Sequence, residues 1–340
     1  MNKGNKSVRI KKMDSMNKRI FFMAIIMIFC MSIFGACVNH TKDDELDGTN
    51  AEEAFSDETK NNITDEPESS QEFEIFGEDD LENETSSQHD FINEEGFMLE
   101  SRILTPEGYE RTEAEQDSFA QFLRNFPIKE NDAKVYLYDG REKFNQNAHI
   151  AVFDLPIENY DLQQCADSVI RMYAEYFYAT KQIDRIKFHF TNGFLAEYSR
   201  WMNGERIRVD GNDVSWVASK GYDDSYECFV EYLKNVFTYA GTLSMNSEAT
   251  DIDLSEACAG DVFLYGGSPG HVVMIVDVCV NEKGEKAFLL AQGYMPAQEF
   301  HILVNERHRE DPWYYEAEIT YPFSTPEYVF DEGSLKRLNY

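Results

Sequence analysis

Residues 41–95 constrain this chain more than any other stretch. They hold 21 Asp and Glu against only Lys42 and Lys60, are rich in Ser, Thr and Asn, and carry few apolar side chains. Ordering a chain costs about 1 to 2 kcal/mol per residue in backbone entropy, and a segment this polar cannot bury enough surface to offset it. It is expected to be an extended, self-repelling spacer. Folding is therefore confined to what lies on either side, and the two sides differ sharply.

On the N-terminal side, Lys3, Lys6, Arg9, Lys11, Lys12, Lys18 and Arg19 make a basic leader. The apolar run over residues 20–36 that follows is short for a membrane span, which takes roughly 20 apolar residues. A basic leader, a short apolar run and small residues before a cut site read as a signal peptide. Phe34-Gly35-Ala36-Cys37 resembles a bacterial lipobox, with Phe34 where the usual pattern has Leu. The resemblance implies cleavage before Cys37 and lipidation of that cysteine. The chain is then exported and held by a lipid anchor on the bacterial membrane, facing the periplasm or the cell exterior. An uncleaved signal anchor would tether it on the same side, and Met16 is an alternative start. The expected organisation is residues 1–36 as signal peptide, 37–95 as lipidated cysteine and acidic linker, and 96–340 as one globular domain.

The charge excludes some partners. Of the formal net −32, the spacer carries −19 and residues 96–340 another −19, against +6 in the leader. Such a domain has no basic footprint for nucleic acid, and an anionic lipid surface repels it. Cys165, Cys228, Cys258 and Cys279 form no CxxC pair, which rules out zinc-ribbon and thioredoxin-type readings. His149, His189, His301 and His308 show no HExxH or paired-ligand spacing, so no metal and no cofactor is expected.

Within the domain, residues 132–138 and 148–155 read as strands. Leu162, Cys165, Ala166, Val169, Ile170, Tyr173, Ala174 and Phe177 then recur at helical spacing. Asp161 as N-cap and Gln164 closing a capping box place Cys165 in the first turn. Residues 185–210 predict further strands turning at Asn192-Gly193 and Asn203-Gly204. A second helix follows, with Phe229, Tyr232, Leu233, Val236, Phe237 and Ala240 as its stripe and Asp224 as its cap. The last third predicts strands at 261–265, 271–280, 287–294 and 300–304, with a glycine-rich loop at 266–270. Helices ahead of an antiparallel meander indicate an α+β fold.

A thiol nucleophile has to be activated, by a helix N-terminus or by a histidine. Cys165 has the first, and His271, entering a strand after the glycine loop, would supply the second. Gly260-Asp261-Val262-Phe263, Gly270-His271-Val272-Val273-Met274-Ile275-Val276 and Phe288-Leu289-Leu290-Ala291-Gln292 together resemble the NlpC-type cell-wall cysteine peptidases, which have a papain-like fold. A closer resemblance runs through residues 164–176, 236–244, 266–277 and 289–303, to the domain-of-unknown-function family numbered 4846. Its members are often bacterial lipoproteins and have no established activity.

Cys228 is the alternative nucleophile. It too lies in the first turn of a capped helix and stands nearer His271 in sequence, but at the edge of its apolar stripe. Free cysteines are otherwise small buried hydrophobes. To orient His271, Gln292 ranks first and Gln298 second. A hairpin centred on Lys283-Gly284 sets His271 opposite Pro296, so Gln292 needs a bulge near Gly293 to reach it, while Asp277 shares its face but lies about 20 Å along the strand at 3.3 Å per residue. Gln163 or Gln164 would donate to an oxyanion, though Gln164 serves first as the capping-box residue. The expected function is a lipid-anchored papain-like cysteine hydrolase or amidase acting on an envelope substrate, with peptidoglycan peptide as one candidate. The rival is a non-catalytic module of the same fold that binds envelope peptide or glycan.

Overall fold

The computed structural model describes residues 91–340. The expected signal peptide, the lipidated Cys37 and the acidic spacer up to residue 90 lie outside the described residues. The fold takes hold slightly ahead of Gly96. Leu104 N–H donates to the Phe91 carbonyl and Asn93 N–H to the Arg102 carbonyl, both at 2.8 Å.

Six α-helices are described: α1 (Leu99–Arg102), α2 (Phe119–Arg124), α3 (Cys165–Ala179), α4 (Tyr198–Met202), α5 (Tyr226–Tyr239) and α6 (Thr242–Ser247). The strands up to α5 are β1 (Tyr109–Arg111), β2 (His149–Val152), β3 (Lys187–His189), β4 (Leu195–Glu197), β5 (Glu205–Asp210) and β6 (Asp213–Ala218). Those after it are β7 (Ala249–Asp251), β8 (Val262–Tyr265), β9 (His271–Asn281), β10 (Lys286–Gln292), β11 (His301–Leu303), β12 (Tyr314–Tyr315), β13 (Phe323–Ser324), β14 (Val329–Phe330) and β15 (Leu335–Leu338).

One antiparallel sheet organises them, in the order β2-β11-β10-β9-β8-β15-β7, with β1 also pairing β9 and β12 pairing β10. Helix α3 packs across one face on β9 and β10, with α2 beside it on β9. There Val169, Ile170, Phe229 and Leu233 join Val272, Met274 and Val276 in a single core. The other face packs Val273, Ile275 and Leu290 against Phe323, Phe330 and Leu335. Both faces of β9 are thus buried, which explains why residues 272–276 are an unbroken apolar run rather than an alternating one. The class is α+β.

Several boundaries move. Residues 132–138 form no strand and make only isolated bridges, Tyr136 with Glu142 and Leu137 with Gln298. A turn at Gly140, with φ +82, folds this segment back on itself before it can extend a ladder. Asn203-Gly204 closes the short helix α4 instead of a hairpin, and the hairpin that follows turns at Gly211. The cap of α3 is Gln164, in extended backbone, with Asp167 Oδ2 accepting its N–H at 3.1 Å. Asp161 is left free to accept from Ala297 N–H at 2.7 Å and Gln164 Nε2 at 3.0 Å. Ser225, not Asp224, caps α5 through its side chain.

The β9–β10 ladder decides the site. It runs one residue off the expected register and shifts again between Leu289 and Leu290, which leaves Val276 as the extra residue on β9. This bulge turns Asp277 out of the alternation. Asp277 leaves His271's face and accepts from Arg111 Nε at 2.6 Å and Arg124 Nε at 2.7 Å, with its own side chain fully buried.

Candidate active site

Cys165 is the first residue of a 15-residue helix. Backbone N–H groups in a first helical turn have no partner within the helix and carry its positive end. Burial pushes the Cys165 thiol up to about 11, Asp167 adds to the rise, and the N–H groups of Ala166, Val272 and Cys165 itself face the sulfur and oppose it. Val272 directly follows His271, so β9 begins against the mouth of α3.

His271 is 1 % exposed. Continuing the shifted ladder puts Gln292 across from Val273, one step along the same face from His271, and its Oε1 meets His271 Nε2 at 2.8 Å. The bulge that brings Gln292 within reach therefore lies not near Gly293, as expected, but at Val276 on the partner strand. Burial lowers the imidazole to about 4, against the raising effect of Gln292, and Lys143 lowers it further. No hydrogen bond occupies Nδ1 among the described residues, and none joins the imidazole to the Cys165 sulfur. Tyr294 and Tyr328 pack on the ring, at centroid distances of 5.0 and 4.7 Å. Both phenols are raised chiefly by burial.

The end of β10 is pressed onto the start of α3. A Cβ on Gly293 would lie 2.3 Å from Ser168 Oγ and 2.9 Å from the Gln164 carbonyl. Gly270 does the same on the neighbouring strand, where a Cβ would meet Thr242 Oγ1 at 2.2 Å. These two glycines let the His271 and Gln292 strands approach the helices closely.

A cleft of about 510 Å³ opens beside the thiol. Its walls are the first turn of α3 with Cys165 and Asp167, the junction of α5 and α6 at Gly241 and Thr242, and the loop 267–270. Met295 and Leu243, 42 % and 46 % exposed, lie among its lining residues. Asp167 is buried, its carboxyl is raised well above the ordinary range by that burial, and its Oδ1 finds no partner.

The remaining sequence candidates lie elsewhere. Cys228 packs near Arg206, whose Nη2 is 4.0 Å from its sulfur, and Asp223, Arg206 and Lys220 make up its charged surroundings. Gln163 is buried and accepts from Arg171 Nη1 at 3.5 Å, and it does not line the cleft. Gln298 bridges Leu137 through its backbone and makes no hydrogen bond to His271. Among the described residues there is no cluster of three His, Cys, Asp or Glu placed to hold a metal, no disulfide, and no helix long and apolar enough to cross a membrane.

Sequence reasoning missed the groups behind Gln292. Its Nε2 donates to Glu327 Oε2 at 2.7 Å, and the same oxygen accepts from Lys143 Nζ at 2.5 Å. Lys143 also reaches His301 Nε2 at 3.2 Å, whose Nδ1 faces the Glu299 carbonyl at 2.9 Å.

Residues 99–337 match the model of a protein family described as Domain of unknown function (4846). No curated protein and no solved structure matches the chain.

Proposed function

The chain belongs to the family described as Domain of unknown function (4846), and from that premise we propose that its domain is a papain-like thiol hydrolase. In this reading it acts on peptide or amide bonds of the cell envelope, held there by lipid on Cys37. The observation that carries the reading is Cys165 at the start of a long helix, on the wall of a cleft, its sulfur faced by the Val272 N–H, next in chain to a His271 that is hydrogen-bonded to Gln292.

The chemistry follows from the protonation states. Moving a proton from a thiol at about 11 to an imidazole at about 4 costs roughly 9 to 10 kcal/mol. The resting nucleophile is therefore a thiol and not a thiolate. Attack requires the proton to leave as the carbon–sulfur bond forms, with His271 Nδ1 as acceptor. The same proton then passes to the leaving amine, and water resolves the thioester. Unpaired N–H groups of the first α3 turn are the donors nearest the developing oxyanion.

The uncharged, unjoined thiol and imidazole also favour a second reading, a module that binds an envelope polymer in the same cleft without cutting it. Incubating the full chain with cell-wall fragments and following products by mass separates the two. The hydrolase reading expects cleavage that Cys165→Ala lowers by 10³-fold or more, on the order of a lost nucleophile, and that Cys228→Ala leaves intact. Equal cleavage by wild type and Cys165→Ala would sink it. Retention of the fragments without cleavage by either protein would establish the binding module.

A further inference from the structure

Five side chains run in one hydrogen-bonded line away from the thiol: His271, Gln292, Glu327, Lys143 and His301. The line contains two groups that can only accept. A carboxylate beside an ammonium has lone pairs and no proton to give, and the backbone carbonyl beyond His301 has no proton at all. These two acceptors fix the direction of every bond in the line.

The Glu299 carbonyl requires His301 to donate from Nδ1, which leaves Nε2 as a lone pair facing Lys143. Lys143 in turn donates to Glu327. Glu327 also takes a hydrogen bond from Gln292 and must receive the amide's NH2. The Gln292 carbonyl oxygen is then the atom left for His271, and only a protonated Nε2 can meet it at 2.8 Å. A neutral imidazole protonated on Nε2 carries its lone pair on Nδ1. Without Glu327, Gln292 can rotate its amide by half a turn and meet the opposite tautomer equally well.

We infer that Glu327, held by Lys143, is a positioning residue that sets the tautomer of His271 by setting the orientation of the Gln292 amide. Its bearing on catalysis rests on the hydrolase reading, where a base needs its lone pair on Nδ1. The tautomer itself does not. Glu327 and Lys143 touch neither the thiol nor the cleft lining, so a loss on changing them comes through His271.

The test uses the full chain with ¹⁵N-labelled histidine at neutral pH and long-range ¹⁵N–¹H correlation spectra. Wild type is expected to show His271 protonated on Nε2 and His301 on Nδ1, two buried histidines of opposite tautomer. Glu327→Gln, whose amide can accept or donate, is expected to give both tautomers at His271. Glu327→Asp, which keeps an acceptor-only group, should restore the Nε2–H form at least in part. Wild-type His271 protonated on Nδ1 overturns the assignment. So does a folded Glu327→Gln variant with His271 unchanged. Should that variant fail to fold, the wild-type spectrum still decides between the two tautomers. If wild type also cleaves envelope fragments, Glu327→Gln is expected to lower kcat by about 10- to 100-fold, in the range of lost outer-shell orientation, with KM little changed. The expected tautomers in a protein that cleaves nothing would sink the hydrolase reading and leave this one standing.

Discussion

Cys165 and His271 are pushed apart in pKa by the same cause. Burial raises the thiol to about 11 and lowers the imidazole to about 4, and for both residues burial is the largest influence. A thiol in this state reacts with small electrophiles only as fast as its thiolate fraction allows. Iodoacetamide should therefore label Cys165 slowly at pH 7, with a rate that climbs steeply and levels only near pH 11. Peptide mass mapping across pH 6 to 11 checks this, and a plateau already reached at pH 7 would show a resting thiolate instead. Cys165, His271 and Gln292 were legible because each sits on a periodic element with a recognisable start or end. Glu327 and Lys143 were not. They lie in irregular segments, 35 and 149 residues from Gln292 along the chain, where no spacing rule reports spatial contact.

At the level of elements, the two long helices and the β8 to β11 meander could be read from apolar spacing alone. Their ends could not, because caps depend on local backbone geometry. Gln164 takes the cap of α3 since its extended backbone lets Asp167 reach back, while Asp161 is drawn to the Ala297 N–H. The bulge was invisible for a different reason. The run Val272 to Val276 is apolar on both faces, so an extra residue leaves no break in the pattern. Its energetic anchor is Asp277, which bridges Arg111 on β1 and Arg124 on α2. Losing one partner of a buried ion pair costs about 3 to 5 kcal/mol, since the remaining charge stays buried. Asp277→Asn is expected to lose that much in urea denaturation, more than a surface change would. A loss below about 1 kcal/mol would mean that the two arginines find other acceptors and that the bulge does not depend on this carboxylate.

Across the whole molecule, the buried titratable groups make stability depend on pH, with two opposing signs. His271 and His301 fold as neutral rings, the second lowered well below its usual value by burial. Unfolded histidine takes up a proton near 6.5, so this contribution is complete above 6.5 and is lost as pH falls from there toward 4. For His271 it amounts to roughly 3 kcal/mol. Asp167 works the other way. Its folded carboxyl is raised, so it favours the folded state at low pH and penalises it as pH rises. Asp167→Asn removes only that penalty. The variant is expected to have a higher urea midpoint than wild type at pH 7.5 and to lose more of it on going to pH 4.5. A midpoint no higher than wild type at pH 7.5 would show that Asp167 is not held protonated.

The line of polar groups behind His271 also determines where a proton can travel. Its donors point toward Glu327 from both sides, His271 through Gln292 on one and Lys143 on the other. Proton conduction along a chain of hydrogen bonds needs every donor to face the same way, and here the arrows collide at one carboxylate. The interior is thus electrically insulated from the imidazole. A proton on His271 Nδ1 therefore has no relay along this line into the interior, and the imidazole holds it or gives it up on its own Nδ1 side.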